Sequence, residues 1–346
     1  MNNSESGWSF EQVVQDVPKI GRENHSQTLL HHAQENLKYF KKSINDLKAL
    51  PEIEKESAIV ISAGPSVHKF NSINRIRDNY KGKIISIDGA YVNCLKRGVI
   101  PDYVLSLDPH LKRIVRWFGD PNFEENMAGD DYFDRQDLDV EFRKNSINQN
   151  LANIKLVNEH AHKTKLILCS SAPPQVVDRA IEAGFDIYWW NPLVDNPSEP
   201  QSLTRKLYAV NKLPCMNTGG TVGTAAWVFA SSILKIKSIG MVGMDLGYHM
   251  DTPYNMTQTY YELIQHVGLE NLEKCFIRFT FPLTQVEYYT DPTYFWYRKN
   301  FLELLSKSNS ENLNCTEGGT LFGEHIQSMT LDTFFNRFNK LENYKE

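Results

Sequence analysis

Hydrophobic and polar positions fall into a repeating succession along most of the chain. Residues 58–61 form a short β-branched run with no alternation, which predicts a strand covered on both faces, as in a parallel sheet. Similar runs recur at 84–87, 103–107, 165–169, 187–190 and 238–242. Helical spacing fills the intervals, over 90–97 with Gly98 as its stop, over about 175–183, and over 221–234, which is rich in small residues. Strand, helix, strand, helix in this order predicts an α/β fold with a doubly wound, mostly parallel sheet and right-handed crossovers.

The flanks read differently. Within residues 1–55, Leu29, Leu30, Ala33, Leu37 and Phe40 share a helical face that Ile44, Leu47 and Leu50 continue, so a helical lead-in ending at Pro51 is expected. The charged stretch 122–158 predicts a helical or irregular insertion. After Gly247 the polar, tyrosine-rich YHMDTPYNMTQTYY reads as a loop, with 247–262 expected to act as a lid. Residues 292–307 and the tail from Thr330 predict two more helices. The expected organisation is a lead-in over 1–55, an α/β domain over 56–325 and a C-terminal helix over 326–346.

Composition narrows the classes. With 346 residues, 41% hydrophobic and 12% aromatic, the chain can bury a core for one large domain or two. A net charge of -5 without a basic block argues against nucleic acid as a partner. Five scattered cysteines with no C-x-x-C pair read as reduced thiols. No apolar run approaches the roughly 18 residues of a membrane span, and the start MNNSESGWSF has no secretory pattern, so a cytoplasmic location is expected.

Candidate chemistry gathers where predicted strands end. Gly64-Pro65-Ser66, Asp88-Gly89, Asp108-Pro109-His110 and Gly243-Met244-Asp245 each follow a strand, and such loops share one edge of a parallel sheet, where ligands bind. Gly64 permits close backbone approach, and Ser66 is a good helix N-cap. Free N–H groups at such a turn attract anions, although the same residues make an ordinary strand-to-helix turn. Asn217-Thr218-Gly219-Gly220-Thr221 forms a second glycine-rich helix entry with the same two readings. Asp88, Asp108 and Asp245 suit ribose hydroxyls, a divalent cation or a base, or serve as turn formers. His110 and His249 stand just past strand-end aspartates, where a proton donor or phosphate contact would be useful. Glu317-Gly318-Gly319 either closes the crevice or makes a tight turn. No G-x-S-x-G, HExxH or Cys/His cluster is present.

The ordered segments ISAGPSVHKF, ISIDGAYVNCLKRGVIPDYVLSLDPH, NTGGTVGTAAWVFASSILKIKSIGMVGMDLGY and NCTEGGTLFGEH resemble the domain shared by motility accessory factor glycosyltransferases and archaeal 6-hydroxymethylpterin diphosphokinase (MptE-like) proteins. The resemblance runs over roughly residues 35–325. It implies a Rossmann-like core related to sialyltransferases and transfer of a sugar, such as a nonulosonic acid from a CMP donor, to a protein or glycan hydroxyl. By it Gly64, Pro65 and Ser66 face the nucleotide phosphate. Asp88, Asp108, Asn217, Gly219, Gly220 and Asp245 line the donor pocket, joined by Gly89, Thr218, Thr221 and Gly243 of the same turns, with Asp108, His110 and Asp245 as the catalytic candidates. His249, Glu317, Gly318 and Gly319 fall on the acceptor side. The pterin branch implies instead an ATP-dependent diphosphokinase with Mg²⁺ on Asp88 and Asp108. A member without chemistry would bind a nucleotide or sugar only.

Overall fold

The computed structural model describes residues 10–109, 115–127 and 140–338. In chain order the elements begin with α1 (Phe10–Glu35), β1 (Ser57–Ile61), α2 (Ser66–Lys69), α3 (Ser72–Asn79), β2 (Lys83–Ile87), α4 (Asp88–Lys96) and β3 (Tyr103–Ser106). There follow α5 (Phe123–Met127), α6 (Val140–His160), β4 (Lys165–Cys169), α7 (Pro174–Ala183), β5 (Asp186–Leu193), α8 (Leu203–Asn211), β6 (Cys215–Asn217), α9 (Val222–Val228) and β7 (Ser238–Val242). The remainder comprises β8 (Tyr248–His249), α10 (Tyr260–Val267), β9 (Ile277–Thr280), β10 (Glu287–Thr290), α11 (Pro292–Ser306), β11 (Glu311–Asn314), β12 (Gln327–Ser328) and α12 (Leu331–Phe338).

Among the described residues nine strands make one sheet in the order β12-β11-β7-β1-β2-β3-β4-β5-β6, every pair parallel. The chain therefore winds outward from β1 through β6, returns across the sheet along α9, and resumes on the other side of β1 with β7. That reversal between β1 and β7 is the topological switch point of a doubly wound α/β sheet. Alternate residues feed two apolar clusters: Val104, Leu166, Leu168 and Trp189 pack with Tyr91 and Phe118, whereas Leu105, Ile167 and Trp190 pack with Ile59, Phe229 and Phe301. Both faces are covered, which is why these strands carry unbroken apolar runs.

Several expectations are corrected. The lead-in helix stops at Glu35, and Leu37 is exposed, because Asn36 leaves the helical pattern to donate from Nδ2 to the carbonyls of Ser170 (3.0 Å) and Ala172 (2.8 Å). Helix α4 begins at Asp88 itself, directly on the end of β2, so Asp88-Gly89 is a first helical turn and not a separate closing loop. The helix expected over 221–234 is α-helical only to Val228 and continues as a π-turn over Phe229–Ile233. The stretch after Gly247 contains a strand, β8, which pairs antiparallel with β10 in a small sheet completed by β9.

Strands β6, β11 and β12 carry no alternating or apolar signal. In β11 the buried Asn312 accepts from Trp227 Nε1 (3.0 Å) and donates to the His325 carbonyl (3.0 Å), and Asn314 donates to the Leu321 carbonyl (2.6 Å). Their amides are buried because they are bonded, a condition that hydropathy cannot register.

Candidate functional site

The switch point opens into a cavity of about 550 Å³ at the carboxyl ends of β1 and β7. Its floor is Ser62 to Ser66 from one side and Gly243 to Asp245 from the other, and the start of α9 with Thr221 forms a wall. The two turns are stitched together by backbone bonds from Ser62 N to the Val242 carbonyl and from Gly64 N to the Gly243 carbonyl, both 2.9 Å. A Cβ on residue 64 would lie 1.8 Å from Asp245 Oδ2 and 2.5 Å from the Gly243 carbonyl, so only glycine fits.

Ser66 does not cap its helix. It is the first residue of α2, and its hydroxyl donates instead to Asp245 Oδ2 at 2.8 Å. Asp245 is nearly inaccessible, and burial pushes its carboxyl up to about 6 against the pull of that hydroxyl. The turn expected to wait for an anion thus already holds a carboxylate of its own. The Ser62 hydroxyl, buried in the same floor, has no hydrogen-bond partner among the described residues.

The stretch after β7 supplies the roof. Tyr248, His249, Thr252 and Met256 line the cavity, together with Tyr288 and Tyr294, and Lys69 stands at its edge. The roof is pinned through Asp291, the buried N-cap of α11, which accepts from Thr259 Oγ1 (2.9 Å), Tyr248 Oη (3.1 Å) and Tyr294 N (2.8 Å). Burial raises both Asp291 and Tyr248. His249 Nδ1 lies 3.2 Å from Asp251 Oδ2. The aromatic and cationic lining was missed from sequence: the tyrosines were visible as a cluster, but which of them face a cavity depends on β8 and β10 pairing.

The second glycine-rich entry does not join this floor. Asn217, Thr218, Gly219 and Gly220 line a separate cavity, also about 550 Å³, with Leu107, Pro109, Trp296, Tyr297 and Asn300. The N–H groups of Gly219, Gly220 and Thr221 are already bonded to side chains, which corrects the expectation of a second anion cradle at these residues. Gly219 N donates to Asn217 Oδ1 (2.9 Å), Gly220 N to Thr218 Oγ1 (3.3 Å) and Thr221 N to Thr224 Oγ1 (2.9 Å), the last as part of a reciprocal capping box.

Other candidates fall elsewhere. Asp108 is exposed between Leu107 and Pro109 at the second cavity, and His110 lies outside the described residues. Asp88 is buried in the first turn of α4, its Oδ1 accepting from Gly89 N (2.7 Å), and burial pushes it up to about 7. A carboxyl biased toward its neutral form and turned into its own helix is a poor Mg²⁺ ligand, and among the described residues no group of three or more His, Cys, Asp or Glu is placed to hold a metal ion. Glu317 lines neither cavity: its carboxylate takes Arg75 through both oxygens (3.0 and 3.2 Å) and the Leu331 N–H (2.7 Å). Gly318 and Gly319 back the first cavity, standing against the Tyr288 hydroxyl and the Asp245 backbone.

Comparison with known proteins agrees with the resemblance read from sequence. Residues 28–118 match the family described as 6-hydroxymethylpterin diphosphokinase MptE-like. The fold is similar to that of MAf glycosyltransferase from Magnetospirillum magneticum AMB-1, with a TM-score of 0.52 and 15% sequence identity over 92% of this chain and 41% of that one. The chain thus spans about two fifths of that enzyme's length. No curated protein matches it in sequence. No helix among the described residues is long and apolar enough to cross a membrane.

Proposed function

We propose, from the MptE-like match over residues 28–118 and the fold shared with a glycosyltransferase, that this chain is a transferase acting on a nucleotide-activated sugar, with a CMP-linked donor favoured. The observation that carries the reading is the switch-point cavity, where Ser66 and Asp245 meet under an aromatic roof. Ligands of doubly wound sheets bind at this point, and the cavity lies within the roughly 300–1,000 Å³ usual for small-molecule sites.

In the reaction, the bond between the anomeric carbon and the phosphate oxygen breaks with its electron pair leaving on phosphate. The acceptor hydroxyl oxygen bonds to that carbon and gives up its proton. Asp245, whose carboxyl burial raises to about 6, is protonated in a minority of molecules at neutral pH, and that form would donate to the departing phosphate oxygen. Lys69 at the cavity edge would offset the remaining charge. Asp108, exposed beside the second cavity, is the base assigned to the acceptor proton.

The test is a thermal-shift screen against CMP, CDP, UDP, GDP, ADP and ATP with and without Mg²⁺, because a ligand of the folded state raises the melting temperature. A shift with CMP or CDP that needs no metal is expected, followed by sugar transfer from CMP-nonulosonates. A second reading, pyrophosphoryl transfer from ATP to a pterin alcohol, is favoured by the description of the matched family and predicts a shift only with ATP and Mg²⁺. Absence of any nucleotide shift would overturn both.

A further inference from the structure

We infer that the second cavity is a binding site for a neutral carbohydrate ring of the acceptor, seated on Trp296 and Tyr297 beside the Gly219-Gly220 turn. The inference rests on the transferase reading, which requires two substrates at adjoining places. The loop from Asn217 to Gly223 borders both cavities, with Asn217 to Gly220 lining the second and Thr221 to Gly223 lining the first.

Three features set its chemistry. First, its loop has already spent the N–H groups that would hold a phosphate, on Asn217, Thr218 and Thr224. Second, the charged side chains Glu303 and Lys307 of its lining pair with each other at 2.6 Å, and the Asp108 carboxylate stands beside the cavity, which disfavours an anionic ligand. Third, Trp296 and Tyr297 stand edge-to-face, 5.5 Å apart, on α11, and Asn300 follows on the same helix face. Flat apolar surface flanked by polar hydrogen-bonding groups suits a pyranose, which has one C–H face and an equator of hydroxyls. The Trp296 indole, Tyr297 hydroxyl and Asn300 amide are the polar groups that this helix brings to the cavity lining for such hydroxyls.

The Gly219-Gly220 turn is shaped for this ledge. Both residues have positive φ (64° and 107°), and a Cβ on residue 220 would lie 2.5 Å from Tyr297 Cδ1 and 3.2 Å from Trp296 Cζ3. The peptide therefore lies against the rings, with its polar edge beside them.

The experiment is saturation-transfer NMR of the full chain with methyl glycosides of glucose, galactose and N-acetylglucosamine and with lactose, each with and without saturating CMP. At least one saccharide is expected to bind, to keep binding in the presence of CMP, and to weaken about tenfold or more in Trp296→Ala and in Asn300→Ala, while Trp296→Phe retains it. Thermal unfolding of each variant confirms folding, and Asn300→Ala keeps the test decisive if Trp296→Ala does not fold. Saccharide binding that is absent, unchanged in both alanine variants, or displaced by CMP would overturn the assignment. Calorimetric titration of nucleotides separates the two readings: nucleotide binding without saccharide binding rejects this site alone, and saccharide binding without any nucleotide binding rejects the transferase reading alone.

Discussion

The Ser66 hydroxyl donates to the Asp245 carboxylate across 2.8 Å, joining the turn after β1 to the turn after β7 at the floor of the switch-point cavity. The bond serves two ends. It compensates part of the burial cost of Asp245, and it holds the carboxyl where a phosphate would arrive. Ser66→Ala is expected to lower stability by about 1–3 kcal/mol, the usual consequence of leaving a buried acceptor unpaired, and to weaken nucleotide binding. Urea unfolding and nucleotide titration of the variant check both effects, and unchanged binding would remove Ser66 from the donor site.

Two glycines of neighbouring strand ends should behave oppositely. Gly64→Ala places a Cβ against Asp245 and the Gly243 backbone and is expected to destabilise strongly and abolish any nucleotide-induced shift. Gly89→Ala meets only ordinary contacts, with Ala63 and Trp117 at 3.5 Å, inside the first turn of α4, where alanine favours the helix. Melting temperatures of the pair, with and without nucleotide, decide the point.

Asp88 should give the protein a distinctive pH dependence. Its folded-state value is raised to about 7 from an ordinary 3.8, so the folded state holds its proton more tightly than the unfolded chain. The associated stability is fully present below about pH 4 and is lost as pH rises through about 7. Asp88→Asn, which cannot ionise, is expected to gain on the native protein steadily across that window. A stability difference that stays flat with pH would contradict this account of Asp88.

Glu317 is expected to act on stability and not on transfer. It joins Arg75 to the N-terminus of α12, and Arg75 also reaches Asp332 at 3.0 Å. Glu317→Gln should cost about 1–3 kcal/mol through the half-buried Arg75 guanidinium left short of a partner and leave nucleotide affinity intact. Loss of transfer at unchanged stability would instead restore Glu317 to the acceptor side.

The roof over 247–262 is proposed to close on ligand. It lines the cavity through Tyr248, His249, Thr252 and Met256 and hangs on a few bonds to Asp291 and Tyr289. Chymotrypsin cleavage near Tyr254 and Tyr260 should slow when the cavity is filled by nucleotide. An unchanged rate would refute the closure.

Much of the frame was legible from hydropathy. The runs at 58–61, 165–169 and 238–242 are strands because residues covered on both faces must be apolar, and helix α11 follows its periodicity closely. The polar strand β11 was not legible, since Asn312 and Asn314 are buried by virtue of distant partners. Nor was the end of the lead-in helix, which Asn36 abandons for two carbonyls beyond β4.

By itself the sequence determined that strand-end turns rich in glycine, serine and aspartate would gather along one edge of a parallel sheet, because local patterning dictates strands, helices and where each stops. Only the tertiary structure decided how that edge is divided. Sheet order puts β7 beside β1 and β6 five strands away, so Gly64, Ser66 and Asp245 share one cavity while Asn217 to Gly220 face another. The loop that borders both contains a tight turn whose own side chains satisfy the Gly219 and Gly220 N–H groups, and the two rings standing against it come from a helix about 75 residues later in the chain. Such pairings depend on which surfaces the packed strands and helices bring together, and no local pattern encodes that choice.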